Sequence, residues 1–167
     1  LLHWEHLPLA LAEEDGVMIF SGSAVVDHQN TSGLCRVHAG DRSCLVAIYT
    51  GHTATTQTQN LAVSQDRGRT WTKYAANPVI DLGLKDFRDP KVFWHEPTHS
   101  WVMVLYGNDQ YHIFTSKNLL NWEDRHSAIP DSHECPDMFE LPLDGDKTKM
   151  KWVVVRGPAG SEVPGRK

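Results

Sequence analysis

Short apolar runs separated by turn-forming residues dominate the hydrophobic pattern of the chain. Seven such runs occur, at residues 17–20, 44–50, 60–64, 91–94, 101–106, 111–115 and 152–155. Clusters of Gly, Asp, Asn and Pro lie between them, for example at residues 107–109 and 144–146, and such clusters mark turns between strands. No long segment has the 3.6-residue period of an amphipathic helix. The pattern therefore predicts an all-β protein.

One unit of strand, polar turn and tryptophan occurs twice. Residues 60–64 lead through a polar turn to Trp71, and residues 111–116 lead through a second polar turn to Trp122. The two tryptophans are 51 residues apart, close to the length of one four-stranded propeller blade. The first turn resembles the Asp-box hairpin of several propellers, in which short polar side chains bond to their own backbone. This repeat predicts a β-propeller and carries no chemistry of its own.

Charge and hydropathy argue against two classes of partner. The net charge is -5 and the basic residues are scattered, whereas nucleic-acid binding relies on clustered Lys and Arg. No apolar stretch approaches the roughly 18 residues that a membrane span requires. We therefore expect neither a nucleic acid nor a membrane as the partner.

The three cysteines, Cys35, Cys44 and Cys135, are odd in number and too few for a disulfide framework. Cys35 and Cys44 are close enough in sequence to bridge a hairpin. We nevertheless expect both to be unpaired, buried thiols, and the cellular compartment stays open on this evidence.

The pentapeptide from His95 to His99 matches the zinc-protease pattern H-E-x-x-H. That pattern binds a metal only on a helix, where residues four apart share a face. Pro97 lies in its middle and strand-like runs flank it on both sides, so a hairpin turn is predicted instead. We expect no metal site and no cofactor.

Two segments each place a carboxylate beside a proline at the edge of a strand-like run. They are Arg88-Asp89-Pro90 and Glu134-Cys135-Pro136-Asp137. Two carboxylates held across one cleft are what cleavage of a glycosidic bond needs. Considered separately, each segment has a plainer interpretation, namely a solvated Arg-Asp pair and an exposed loop glutamate.

Position favours a functional interpretation of both carboxylates. The innermost strands of a propeller begin at its cleft, where a fixed carboxylate at Asp89 binds sugar hydroxyls and Arg88 adds a planar fork of donors. A carboxyl group that donates a proton needs an apolar setting or a nearby negative charge. Cys135, Met138 and Phe139 predict such an apolar setting for Glu134, and Asp89 or another acid could supply the charge.

The segment from Phe20 to Ser23 ends one strand-like run and begins another. Phe20 offers a ring that can stack on a sugar, and Ser21 offers a hydroxyl group. The small residues that follow would let the backbone approach a ligand closely.

Together these segments resemble glycoside hydrolase family 32, the invertases, inulinases and levanases that cleave β-fructofuranosides. Five stretches carry the resemblance in the family's order, at residues 3–11, 20–27, 59–71, 87–92 and 134–141. Residues 155–167 match the family poorly. The resemblance implies a five-bladed β-propeller, of which residues 1–167 would form about three blades, and a retaining mechanism.

The resemblance also implies roles for individual residues. Glu134 would be the general acid/base, and Asp89 would stabilise the oxocarbenium-like transition state with help from Arg88. Phe20 and Ser21 would line the fructose subsite. Asp137 would be a supporting contact to that subsite. The substrate would be sucrose, inulin or levan, and the family favours a secreted protein.

The nucleophile of the family is the Asp of a Trp-Met-Asn-Asp-Pro-Asn-Gly motif that precedes the stretch at residues 3–11. No residue of this sequence takes that role, so we expect a fragment without appreciable fructosidase activity of its own. The alternative from another class is a non-catalytic carbohydrate-binding propeller. A third interpretation, a five-bladed enzyme acting on arabinan or sialosides, is disfavoured by the segment at residues 134–137.

Overall fold

The computed structural model describes residues 2–36, 40–130 and 133–156. Within these ranges the chain forms ten strands and one short 3-10 helix, Glu96–Thr98, so the all-β prediction is confirmed. The strands are β1 (Met18–Asp27), β2 (Cys44–His52), β3 (Gln57–Ser64), β4 (Thr72–Lys73), β5 (Phe87–His95), β6 (Ser100–Gly107), β7 (Gln110–Ser116), β8 (Trp122–Pro130), β9 (Asp137–Leu143) and β10 (Asp146–Val155). In this part of the chain no helix is long and apolar enough to cross a membrane. Residues 157–167, most of the tail that was expected to match the family poorly, lie outside the described residues.

Eight of the strands form two antiparallel sheets of the same order. The first sheet is β1-β2-β3-β4 and the second is β5-β6-β7-β8, so each strand pairs with the next along the chain, while β9 and β10 form a separate hairpin. Asn108 and Asp109 connect β6 to β7 with φ values of 51° and 64°. Positive φ at both central residues matches the right-handed twist of the two strands, which explains the turn signal in the sequence.

The predicted repeat of strand, turn and tryptophan is confirmed, and its first copy follows β3. Ser64 Oγ accepts the N–H of Gly68 at 2.8 Å. Asp66 accepts the backbone N–H of Thr70 at 2.9 Å and its hydroxyl at 2.7 Å. The indole N–H of Trp71 donates to the carbonyl of Gly68 at 3.1 Å. Local bonds between side chains and backbone thus account for the conformation of this turn.

The second copy follows β7 and is held by similar local bonds. Ser116 Oγ accepts the N–H of Asn118 at 3.1 Å, and Asn118 Oδ1 accepts the N–H of Leu120 at 3.1 Å. The indole N–H of Trp122 donates to the carbonyl of Leu119 at 2.8 Å. The two turns occupy equivalent places after the third strand of each sheet, so the sequence repeat is also a structural repeat.

The two sheets share one hydrophobic core. Its buried members include Val46, Ile48, Leu61 and Val63 of the first sheet and Phe87, Val92, Trp101, Met103, Leu105 and Phe114 of the second. Residues that alternate with these along β6 and β7 face the other way. There Tyr106 and Tyr111 pack against Met138 and Val154 of the hairpin, so the second sheet is covered on both faces.

The prediction that the segment at Phe20 ends one strand and begins another is wrong. β1 is a single strand whose register with β2 shifts between Ile19 and Gly22, so Phe20 and Ser21 form a bulge. A Cβ atom on Gly22 would lie 2.1 Å from the carbonyl oxygen of Ile48. The glycine therefore permits close approach of β2, whereas the sequence suggested close approach of a ligand.

Three strands carry too little hydrophobic signal to be read from the sequence. β4 has only two residues, and β8 is mostly exposed at the edge of its sheet. β9 has no regular alternation of partly buried and exposed positions and contains Pro142. Their positions follow from pairing with neighbouring strands, which a local pattern does not contain.

The expectation of unpaired thiols at Cys35 and Cys44 is also wrong, because the two residues form a disulfide with Cα atoms 5.2 Å apart. The buried carboxylate of Asp27 folds the chain back after β1. It accepts the N–H and hydroxyl groups of Thr31 and Ser32 at 2.8–3.1 Å. Cys44 is the strand partner of Asp27, and this fold brings Cys35 to it.

The hairpin predicted for the H-E-x-x-H match is confirmed. β5 ends at His95, Glu96–Thr98 form the short 3-10 helix, and β6 begins at Ser100. His99 closes the turn in a left-handed conformation with a φ of 45°. The two histidines therefore do not lie on one face of an α-helix, which the zinc-protease pattern requires.

Candidate active site

The beginning of β5 is held by two buried amide side chains of β3. Gln57 Oε1 accepts the backbone N–H of Phe87 at 2.7 Å, and Gln59 Nε2 donates to the carbonyl of Phe87 at 2.7 Å. Residues two apart on a strand share a face. The two glutamines therefore bind both the N–H and the carbonyl group of Phe87. They fix the place from which Arg88 and Asp89 extend.

Arg88 lies at the centre of the candidate site. Its Nε and Nη2 contact Glu134 Oε1 at 2.8 and 2.7 Å, and its Nη1 contacts Asp86 Oδ1 at 2.7 Å. Its guanidinium also lies over the ring of Tyr106, 4.9 Å from the ring centre. Burial alone lowers the pKa of Arg88, but hydrogen bonds to Asp86 and Glu134 outweigh burial and leave the pKa raised. The side chain is a rigid, charged fork.

Asp89 has an unusual backbone conformation for a residue within a strand. Its φ is 60°, at the point where the register of β5 with β6 shifts. Its N–H donates to Thr50 Oγ1 at 3.1 Å, and its Oδ2 accepts the N–H of Cys135 at 3.0 Å. Such conformations cost about 1–3 kcal/mol and concentrate at functional sites. The surrounding bonds hold the carboxylate toward the segment that carries Glu134.

Glu134 is joined to this network from a distant part of the chain. Its side chain is 44% exposed, and its backbone carbonyl accepts the hydroxyl of Tyr111 at 3.5 Å. The apolar setting predicted for the carboxylate is wrong, because the charged fork of Arg88 contacts it directly. Apolar neighbours in sequence did not become its neighbours in space.

Cys135 separates the two carboxylates. Its backbone N–H bonds to Asp89, and it directly follows Glu134. Burial raises the pKa of the Cys135 thiol, and the nearby Asp89 carboxylate raises it further. A protonated thiol is a poor nucleophile, so the chemistry of this site rests on its carboxylates.

Phe20 and Ser21 lie in the β1 bulge. The Phe20 ring is partly exposed and stacks on the imidazole of His52, with ring centres 4.4 Å apart and an angle of 16° between the planes. Ser21 is exposed. A chain of contacts runs from Phe20 through His52 and Gln57 to Arg88, so Phe20 belongs to the same network.

Asp137 begins β9 and forms an ion pair with Lys91 of β5, at 2.8 Å between Oδ1 and Nζ. The same oxygen accepts the N–H of Met138 at 2.8 Å. The ion pair joins the hairpin of β9 and β10 to β5, two residues beyond Asp89. Asp137 therefore helps to fix the hairpin next to the candidate site.

Gln57, Thr50 and His52 are members of the site that sequence reasoning missed. Gln57 and Thr50 are polar residues buried in β3 and β2, and buried polar groups need partners. Only their burial marks them as members of the site, and burial cannot be read from a single sequence. Among the described residues, no group of three or more His, Cys, Asp or Glu side chains is placed to hold a metal ion.

Nearly the whole chain is similar to known proteins. Residues 1–166 match the family described as the N-terminal domain of glycosyl hydrolases family 32. The chain is 53% identical to a levanase of Bacillus subtilis over 161 residues, 92% of this chain and 23% of that protein. It is 46% identical to an extracellular exo-inulinase of Meyerozyma guilliermondii over 149 residues, 85% of this chain and 28% of that protein.

A solved structure of a fructofuranosidase from Schwanniomyces occidentalis in complex with fructose aligns with a TM-score of 0.83 at 43% identity. The alignment covers 91% of this chain and 31% of that one. The chain thus spans less than a third of the length of these relatives. The resemblance read from its motifs is confirmed: the chain belongs to glycoside hydrolase family 32.

Proposed function

We propose that this chain is part of the catalytic domain of a β-fructofuranosidase that cleaves terminal fructosyl residues by a retaining mechanism. The observation that carries the proposal is the hydrogen bond from the N–H of Cys135, the residue after Glu134, to Asp89, together with the bond from Arg88 to Glu134. The bond from Cys135 places the proposed transition-state stabiliser next to the proposed acid/base, and the nucleophile that a retaining mechanism also needs is a third residue. Membership of the family selects a fructosyl substrate over other glycosides.

Glu134 acts in this proposal as the general acid/base. Its carboxyl group gives a proton to the oxygen of the leaving sugar while the glycosidic C–O bond breaks, and its carboxylate later takes a proton from the attacking water. Its side chain is 44% exposed to solvent, which leaves room for both partners. The fork of Arg88 fixes its position between the two proton transfers.

Asp89 stabilises the positive charge that develops on the fructosyl ring, and Phe20 and Ser21 line the fructose subsite. Asp137 supports that subsite through its bond to Lys91. The motif that carries the family's nucleophile does not occur in these 167 residues, so the proposal assigns the nucleophile to a part of the protein outside this sequence. By itself the chain then lacks appreciable fructosidase activity.

The two four-stranded sheets and the hairpin correspond, in this proposal, to about three blades of a five-bladed propeller. Levan, inulin or sucrose is the substrate, since relatives are named levanase and exo-inulinase. We further propose that the protein is secreted. The Cys35–Cys44 disulfide supports this, because disulfides persist in oxidising compartments, and one relative is named extracellular.

The test is fructose release by the protein expressed with its complete reading frame, supplied with sucrose, inulin and levan. Glu134→Gln should lower kcat by roughly 10²- to 10⁴-fold, the range of general acid–base catalysis. An aryl fructoside with a leaving group that needs no protonation should recover the first step in Glu134→Gln but not in Asp89→Asn. The first fructose released should be the β anomer, as retention requires.

Glu140→Gln is the matched control, because Glu140 is exposed on β9, and it should leave kcat unchanged. If the complete protein binds levan but releases no fructose, it is a carbohydrate-binding module and the enzymatic proposal is wrong. Release of fructose at the same rate by Glu134→Gln would remove this residue from the mechanism.

A further inference from the structure

Gln57 links two parts of the candidate site that are far apart in sequence. It is the first residue of β3 and the strand partner of His52, the last residue of β2. Only 4% of its surface is exposed. Its Oε1 accepts the backbone N–H of Phe87 at 2.7 Å and the Nη1–H of Arg88 at 3.1 Å.

These two contacts determine the orientation of the amide. Both partners are donors that cannot accept, so the atom facing them must be the oxygen of Gln57. The amide nitrogen then faces Nδ1 of His52 at 3.3 Å. An amide nitrogen only donates hydrogen bonds, and so Nδ1 must be the unprotonated acceptor. The neutral imidazole of His52 carries its proton on Nε2.

The imidazole of His52 is held from a second direction. Its ring stacks on Phe20, with centres 4.4 Å apart and planes at 16°. His52 is partly exposed, and Nε2 lies on the side of the ring away from Gln57. Stacking fixes the plane of the ring, and the amide fixes which nitrogen carries the proton.

We propose that Gln57 is a positioning residue for both ends of the fructosyl site. It holds the fork of Arg88 against Glu134, and it keeps His52 in the Nε2–H tautomer, from which His52 donates a hydrogen bond to a hydroxyl of the sugar bound beside Phe20. This inference rests on the proposed function and adds His52 as a substrate-binding residue.

The tautomer is tested without any activity measurement. Long-range ¹H–¹⁵N spectra of the ¹⁵N-labelled complete protein should show His52 Nδ1 as the unprotonated type and Nε2 as the protonated type, with signals assigned from His52→Phe. Gln57→Glu keeps two acceptors for Phe87 and Arg88 but cannot donate. The Nδ1 signal should therefore move to the protonated type, whereas Gln29→Glu, at an exposed turn, should leave it unchanged.

A protonated Nδ1 in the unaltered protein, or identical His52 spectra for Gln57→Glu, would overturn the positioning role of Gln57. Because this readout needs no turnover, it is independent of whether the protein is a fructosidase.

Substrate contact is tested by the binding of a short fructan oligosaccharide, measured by calorimetry. His52→Phe keeps a ring against Phe20 but removes the N–H donor, so the Kd should rise roughly 3- to 10-fold, as expected for one lost hydrogen bond. An unchanged Kd would refute the contact between His52 and the sugar. Failure of all variants and of the unaltered protein to bind would instead refute the proposed function.

Discussion

Replacement of Gly22 by Ala gives the sharpest test of how β1 is built. The added Cβ would lie 2.1 Å from the carbonyl oxygen of Ile48 and 2.6 Å from Cα of Tyr49. Both atoms belong to the backbone of β2, so no rotation of a side chain can relieve the contact. One of the two strands must move.

The structure sets the size of the effect. Close contacts between carbon and oxygen lie at about 3.3–3.6 Å, so β1 and β2 must separate by about 1 Å at this point. That separation weakens the pairing of Gly22 with Tyr49 and of Ser23 with Ile48. Overpacking typically costs about 1–3 kcal/mol and each lost hydrogen bond about 1 kcal/mol. We expect the free energy of unfolding to fall by about 3 kcal/mol.

The same movement should reach the candidate site. Ser23 Oγ donates to the carbonyl of Pro90 at 2.8 Å and accepts the N–H of Val92 at 3.0 Å, so it ties β1 to β5 beside Asp89. The bulge with Phe20 immediately precedes Gly22. Fructose release should therefore decrease together with stability.

Urea unfolding of the complete protein, followed by tryptophan fluorescence, is the assay. Ala24→Ser is the control on the same strand, because Ala24 is exposed and surface changes usually stay within about 0.5 kcal/mol. If Gly22→Ala unfolds within about 0.5 kcal/mol of the unaltered protein and cleaves substrate normally, the close approach of β1 and β2 is wrong.

Three further predictions concern charge, covalent bonding and the site. Hydrogen bonds from Thr70, then from Ser64, lower the pKa of Asp66 from 3.8 to about 2. The ionised carboxylate therefore stabilises the fold above about pH 4, and this contribution to stability disappears as the pH falls toward 2. Asp66→Asn should remove that part of the pH dependence of the unfolding midpoint, and an unchanged acid profile would contradict it. Joint replacement of Cys35 and Cys44 by Ser opens a loop with a sequence separation of 9 and should lower the unfolding free energy by about 3 kcal/mol. A reductant should destabilise the unaltered protein by the same amount. No response to the reductant would refute the stabilising role of the disulfide. Arg88→Lys removes the fork on Glu134 and should lower kcat/KM by roughly 10- to 100-fold, since bonds to charged groups contribute about 1.5–3 kcal/mol; a change of less than about twofold would show that the fork does not position Glu134.

Features that depend on neighbouring residues could be predicted from the sequence. Six of the seven apolar runs lie within observed strands, and the first begins one residue before β1, because each run carries its own burial signal. The two tryptophan turns are held by bonds within a few residues, and Pro97 made the hairpin at the H-E-x-x-H match recognisable. The family motifs also predicted Arg88, Asp89 and Glu134 as residues of one site, and the structure brings the three close together.

Features that depend on distant residues could not be predicted. The sequence suggested an apolar setting for Glu134, but Arg88, 46 residues earlier, contacts its carboxylate. Unpaired thiols were expected at Cys35 and Cys44, and only the fold of the chain around Asp27 brings them together. The pairing of outer and short strands such as β4 and β8 was likewise invisible.

The sequence by itself determined the all-β class, the repeated turn and the family, because those properties depend on local hydrophobic periodicity and on short motifs. Only the tertiary structure decided which polar groups meet at the beginning of β5. Gln57, Thr50 and His52 come from other strands, and their amide, hydroxyl and imidazole groups acquire a role only when burial forces each to find a partner. That requirement acts in three dimensions, and no spacing along one chain reveals it.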